Sequence, residues 1–155
     1  MQATAVRKIL PWGLATWFIA VPFAATAQGQ PEDIIKYRQN VMKSIGGHTS
    51  ASAAIISGKV AYKAHLSEHA KAIAAMAKDI PGLFPKDSDF GDTNALESVW
   101  KKRAQFEKAA NNARAKAEAF AKAAAGNDPK AAGAAFKDLG EACKACHKDF
   151  RKEEK

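Results

Sequence analysis

Near the C-terminal end of this 155-residue chain, two cysteines and a histidine fall in a run with recognisable chemistry: Cys143-Lys144-Ala145-Cys146-His147. Thiols three positions apart on a helix lie about one turn apart and face the same way. Each can add across one vinyl group of a haem. The histidine that follows at once can offer its imidazole to the iron, so Cys-x-x-Cys-His is the attachment pattern of a c-type haem. Covalent anchoring and axial ligation then come from five residues, while the redox chemistry belongs to the haem. Two plainer readings compete. Half of a zinc site needs further ligands at matching spacing, and His48, His65 and His69 lie far upstream with no cysteine beside them. A thioredoxin-like redox pair needs a βαβ context, which this alanine-rich region lacks. These are the chain's only cysteines, so one haem c, held through Cys143 and Cys146, would use both.

Other residues with possible chemistry are few. Beyond the leader described below there are two methionines, Met42 and Met76. Met76 continues the stripe of Ile73 and Ile80 and reads as core. Arg38 stands on an apolar face one turn before Met42, where an arginine needs an anionic partner, unless it snorkels to the surface. His65 and His69, four apart, suit an exposed metal, but no third ligand suggests itself. His48 lies past Gly46-Gly47 and off the Met42 face. All three histidines read as surface or internally satisfied.

The first 27 residues read as a secretory leader. Arg7 and Lys8 form a charged start, an apolar run extends from Leu14 to Ala25, and Ala25-Thr26-Ala27 is a small-residue cleavage site. The run is short, is preceded by Pro11 and is broken by Pro22, which argues against a membrane anchor. Export agrees with the cysteine motif, because c-type haem is attached outside the bacterial cytoplasm, so the expected location is the periplasm. Residues 28–155 then form one domain. Losing Arg7 and Lys8 takes the formal charge from +8 to +6. A moderately basic surface of this kind steers acidic redox partners, although most of its lysines simply solvate helices. No basic-aromatic cluster or known motif points to nucleic acid, and residues 28–155 contain no membrane span.

That domain reads as helices throughout, without the alternating β-branched runs of strands. Four segments are expected. The first, 31–57, opens on Pro31, Glu32 and Asp33, which suit a helix N-terminus, and stops at Gly58. Gly46-Gly47 bends it without ending it. The second, 62–78, carries Leu66, His69, Ile73 and Met76 on a stripe that continues to Ile80, and Pro81-Gly82 closes it. A loop over 81–94 brings Leu83, Phe84 and Phe90 down onto the rest. The third, 95–125, carries Val99, Trp100, Phe106, Ala110, Ala113, Ala117, Phe120 and Ala124 at three-four spacing, with Glu97–Lys101 and Glu118–Lys122 as exposed pairs. Gly126-Asn127-Asp128-Pro129 is the clearest turn, with Gly126 as a C-terminal cap and Asp128 as an N-cap. The fourth, 129–152, puts Phe136, Leu139, Cys143, Cys146 and Phe150 on one face. The expected fold is all-α, an antiparallel four-helix bundle with a covalently bound haem c and aromatic side chains packed around it.

Across residues 28–155 the sequence resembles the cytochrome c′ and cytochrome c-556 four-helix-bundle cytochromes. The resemblance rests on Lys36-Tyr37-Arg38-Gln39-Asn40-Val41-Met42 and on Cys143 through Arg151. Ile80-Pro81-Gly82-Leu83-Phe84-Pro85 and Val99-Trp100 add to it. It implies that His147 is the proximal iron ligand and that Arg38 meets a haem propionate. Arg151 would lie beside the histidine and the haem edge, and Met42 at the distal position. It also implies the possibility of a homodimer through faces of the first two helices.

Met42 decides between two functions. In the c-556 type a methionine here binds iron. The expected reading is therefore a low-spin haem ligated by His147 and Met42, in an electron carrier of the periplasm. The alternative is the c′ type, with five-coordinate iron and a distal face that binds nitric oxide or carbon monoxide. An enzyme such as a peroxidase needs a distal base and a cation, and no His-Arg pair is apparent there, so none is expected. A haem-free helical chaperone would leave Cys-x-x-Cys-His unexplained.

Overall fold

The computed structural model describes residues 29–126 and 128–153. The expected leader and Asn127 lie outside them. Five α-helices are described: α1 Pro31–Ile56, α2 Leu66–Ala77, α3 Ser98–Lys101, α4 Arg103–Ala124 and α5 Pro129–Phe150. The four longer ones form an antiparallel bundle. Helix α1 packs along α2, α2 along α4 and α4 along α5, whereas α1 and α5 make little direct contact.

Helix α1 begins as expected, on Pro31 with Glu32 and Asp33 in its first turn, and runs unbroken through Gly46-Gly47. Gly58 ends it with φ +73°. Its N–H reaches the Ile55 carbonyl at 3.1 Å and that of Lys59 the Ala54 carbonyl at 2.9 Å, which together make a Schellman motif. The glycines therefore have opposite consequences. A Cβ at Gly46 or Gly47 meets nothing within 4 Å. Gly46→Ala and Gly47→Ala are each expected to raise stability by about 0.5–1 kcal/mol in denaturant titration. Gly58→Ala, forced left-handed, should lower it by about 1–2 kcal/mol.

The expected second helix is shorter than its sequence span. A 3₁₀ turn over Lys63–His65 leads into α2. The buried face of α2 is Ala70, Ile73, Ala74 and Ala77, so small residues bring α1 and α4 close. Met76, expected in the core, is only half-buried. The expected third helix is broken at Lys102, whose backbone (φ −118°, ψ 45°) is not helical. The reason lies at its start, which is tied to the end of α5. Leu96 N–H bonds to the Phe150 carbonyl at 3.0 Å, Ser98 Oγ to the Asp149 carbonyl at 2.7 Å, and Ala95 pairs with Arg151. The four residues of α3 follow this tether, and α4 then takes the bundle direction. Glu118 pairs with Arg114 at 2.9 Å, not with Lys122, while Glu97 does meet Lys101. Asp128 caps α5 through Lys130 N–H at 2.9 Å and Ala131 N–H at 3.2 Å. Gly126 is not left-handed, and α4 is capped one residue earlier, at Ala125.

The core divides in two. One cluster gathers Ala70, Ile73, Ala74, Ala77, Ala117, Phe120 and Leu139, with Ile45, Phe136 and Cys143 packed against it. The other gathers Phe84, Val99, Phe106 and Phe150, with Met42, Leu83, Trp100 and Cys146 against it. In the second, Phe84, Phe106 and Phe150 meet edge-to-face at 4.9 and 5.3 Å between centroids.

Candidate haem-binding site

On α5, Cys143 packs against the first cluster and Cys146, one turn later, against the second. On α1 the corresponding residues are Ile45 and Met42, in the reversed order that antiparallel helices require. Met42 thus lines the cluster that Cys146 lines, across the seam where α1 and α5 hardly touch. Both thiols are free and half-buried. Burial pushes both above the usual thiol value. Cys146 rises to about 11, with the nearby Cys143 and Asp149 adding to the effect of burial. A redox-active pair needs a lowered thiol pKa, so this environment disfavours the thioredoxin-like reading.

His147 faces outward. It shares a surface hollow of about 370 Å³ with Lys148, Arg151, Lys152 and Glu153. The hollow therefore holds both His147 and Arg151. Arg151 also closes α5: its N–H reaches the His147 carbonyl at 2.9 Å and its backbone pairs with Ala95.

Arg38 does not snorkel; it is 2% exposed. Nη1 donates to Ser88 Oγ at 2.8 Å. Nη2 donates to the Ser88 carbonyl at 2.8 Å and to Thr93 Oγ1 at 2.9 Å. Its guanidinium carbon lies 4.8 Å from the Phe84 ring centroid and 5.5 Å from that of Trp100. Burial lowers its pKa and Asp89 partly offsets that. Thus Arg38 clamps the 84–93 loop, using three of the five N–H bonds of a guanidinium. Arg103 grips the same loop from α4, with Nη1 on the Phe84 carbonyl at 2.8 Å and Nη2 on the Pro81 carbonyl at 2.9 Å. Trp100 Nε1 adds a bond to the Pro85 carbonyl at 2.8 Å. The loop packs down through Leu83 and Phe84, but Phe90, expected with them, is 44% exposed. Arg38 draws Ser88 and Thr93 inward, and the chain between them turns out. The sequence reading missed Ser88, Thr93 and Arg103; a run of short hydroxyl residues facing a buried arginine was the available signal.

Of the three upstream histidines, His65 is exposed, whereas the other two satisfy each other. His48 of α1 and His69 of α2 stand with their Nδ1 atoms 2.8 Å apart.

Two protonated thiols one turn apart, an adjacent imidazole, a thioether sulfur on the facing helix and a thinly packed seam between them fit a covalently held haem. Fold and donor set define a four-helix-bundle c-type haem protein. The family described as Cytochrome C′ matches residues 33–151. Cytochrome c′ of Pararhodospirillum photometricum is 36% identical over 122 residues, covering 78% of this chain and 98% of that protein. Cytochrome c-556 of Agrobacterium tumefaciens is 33% identical over 118 residues, covering 76% and 95%. Among solved structures, the nitric oxide complex of a mutant of cytochrome c prime from Alcaligenes xylosoxidans superposes with TM-score 0.75 at 25% identity, covering 81% and 98%. The chain belongs to the cytochrome c′ family. It is a haem c protein of the electron-transport type, binding one covalent haem c, and its two cysteines are available for the attachment. Among the described residues, no helix is long and apolar enough to cross a membrane.

Proposed function

We propose that this protein is a periplasmic cytochrome c′ whose haem is held by Cys143 and Cys146, with His147 as the single protein ligand and Met42 crowding the opposite side. When bound, the haem supplies a redox-active iron that can take a diatomic gas. Met42 would limit what reaches the distal side, since its side chain is half-buried against the aromatic cluster that Cys146 also packs against. Arg38, one turn from Met42 with two N–H bonds left over, is the cation assigned to a haem propionate, with Asp89 its other charged neighbour. Arg151 is assigned to the haem edge beside His147. The observation that carries this reading is the shared fold with a cytochrome c prime captured in its nitric oxide complex. Gas binding and electron carriage, not turnover of a substrate, are the roles this site suits. The net positive charge favours an acidic redox partner, and a homodimer is an assembly the family resemblance allows. The leader motif over 1–27 supports the periplasm.

A second reading keeps Met42 as an iron ligand in a low-spin electron carrier. It is favoured by a thioether sulfur at the distal position and by the likeness to a cytochrome c-556. The optical spectrum of the purified holoprotein separates the two. A high-spin spectrum whose ferrous form shifts on adding carbon monoxide is expected. A low-spin spectrum with the far-red methionine–iron band and no response to carbon monoxide would establish the second reading instead.

A further inference from the structure

The His48–His69 contact lies outside the haem site. It joins α1 to α2 at their half-buried seam, and the ring centroids are 5.1 Å apart at 53°. Two ring nitrogens at 2.8 Å share a single proton when both rings are neutral, one donating and the other accepting. That arrangement is close to what a metal ion would require in the proton's place. Two imidazole nitrogens at the 2.0–2.1 Å zinc bond length and tetrahedral angle sit about 3.3 Å apart. The pair must open by only about half an ångström. His65 is one helical turn before His69, and its backbone is already helical (φ −80°, ψ −14°). Its ring stands edge-on to His69 at 6.5 Å and is stacked on Tyr62 at 5.5 Å and 10°. Among the described residues no three metal-ligating side chains converge as they stand, so His65 has to swing off Tyr62 to join the pair. It is exposed to solvent.

We propose that His48 and His69, completed by His65, form a binding site for a divalent transition-metal ion of the imidazole-seeking kind, such as zinc. All three ligands are neutral nitrogen donors, which suit Zn(II), Ni(II) and Cu(II) and disfavour Ca(II) and Mg(II). One ligand comes from α1 and two from α2, so a bound ion cross-links the two helices. The remaining coordination position falls to water.

The test is calorimetric titration of the ferric holoprotein with Zn(II), in which the cysteines are consumed by the haem. One Zn(II) per chain is expected, with zinc absorption-edge spectroscopy counting three imidazoles. His48→Gln and His69→Gln, which preserve size and polarity, should each weaken binding at least tenfold. His65→Gln should weaken it less and reduce the imidazole count to two. Bound Zn(II) should raise the unfolding temperature of the parent protein and not that of the His48→Gln protein. An unchanged Soret band and helical circular dichroism in each variant exclude misfolding as the cause. No stoichiometric binding, or binding that both His48→Gln and His69→Gln leave intact, would overturn the proposal.

Discussion

Replacing Met42 by alanine is expected to raise the carbon monoxide affinity of the ferrous holoprotein by roughly tenfold to a hundredfold. Met42 packs from α1 against the cluster that contains Phe84, Phe106 and Phe150, the same cluster that Cys146 packs against from α5. On the proposed function, a gas molecule entering there would have to displace its side chain. Overpacking a filled site by a few atoms costs about 1–3 kcal/mol, and each 1.4 kcal/mol is about a factor of ten in affinity. Titration of the ferrous protein with carbon monoxide, followed at the Soret band, reads this directly. If the methionine sulfur is instead an iron ligand, the alanine variant turns from low-spin to high-spin, loses its far-red band and begins to respond to carbon monoxide. A variant unchanged in both spectrum and affinity would take Met42 away from the distal side altogether.

Arg38→Met should destabilise the protein by about 2–3 kcal/mol, seen as a lowered denaturant midpoint with unchanged slope. Taking a buried cation out of the protein removes a desolvation cost, so the loss of charge is not the source of the effect. The source is what remains behind. Ser88 Oγ still donates to the Pro85 carbonyl at 2.9 Å, and Thr93 Oγ1 still accepts from Ala95 N–H at 3.2 Å. The Ser88 carbonyl loses the donor that Arg38 provides, and a buried acceptor left so costs about 1–3 kcal/mol. The guanidinium's contacts with Phe84 and Trp100 add about 0.5–2 kcal/mol that a methionine recovers only in part. Arg38→Lys keeps the charge but cannot span Ser88 and Thr93 together, so an intermediate loss is expected. A change below about 0.5 kcal/mol for Arg38→Met would mean that the loop holds without its clamp.

The helices and the haem motif were readable because both depend on local spacing. Apolar recurrence marked the buried face of α4, and Cys143, Cys146 and His147 are contiguous. The ends that depend on distant partners were not. The break at Lys102 follows from the tether of Leu96 and Ser98 to the end of α5, some fifty residues away. Phe90 was expected inward from its type, yet its position is decided by Arg38 pulling on its neighbours. The partners of Arg38 are neutral oxygens in a loop, whereas a buried charge in a sequence suggests an anion first. His48 and His69 meet because α1 and α2 are antiparallel around a turn at Gly58, a register that no pairwise spacing in the chain discloses.

The thin contact between α1 and α5 bears on how the protein is made. Three of the four seams of the bundle close with protein alone, and the fourth is the one the haem would fill. Before attachment, α1 is held by α2 and by the Arg38 clamp on the 84–93 loop, while its side toward α5 stays thinly packed and so more open to proteases and to pairing with other chains. Synthesis makes α1 before α5 and its cysteines. The helix most in need of the cofactor therefore waits longest for it, and maturation becomes a race between ligation and degradation.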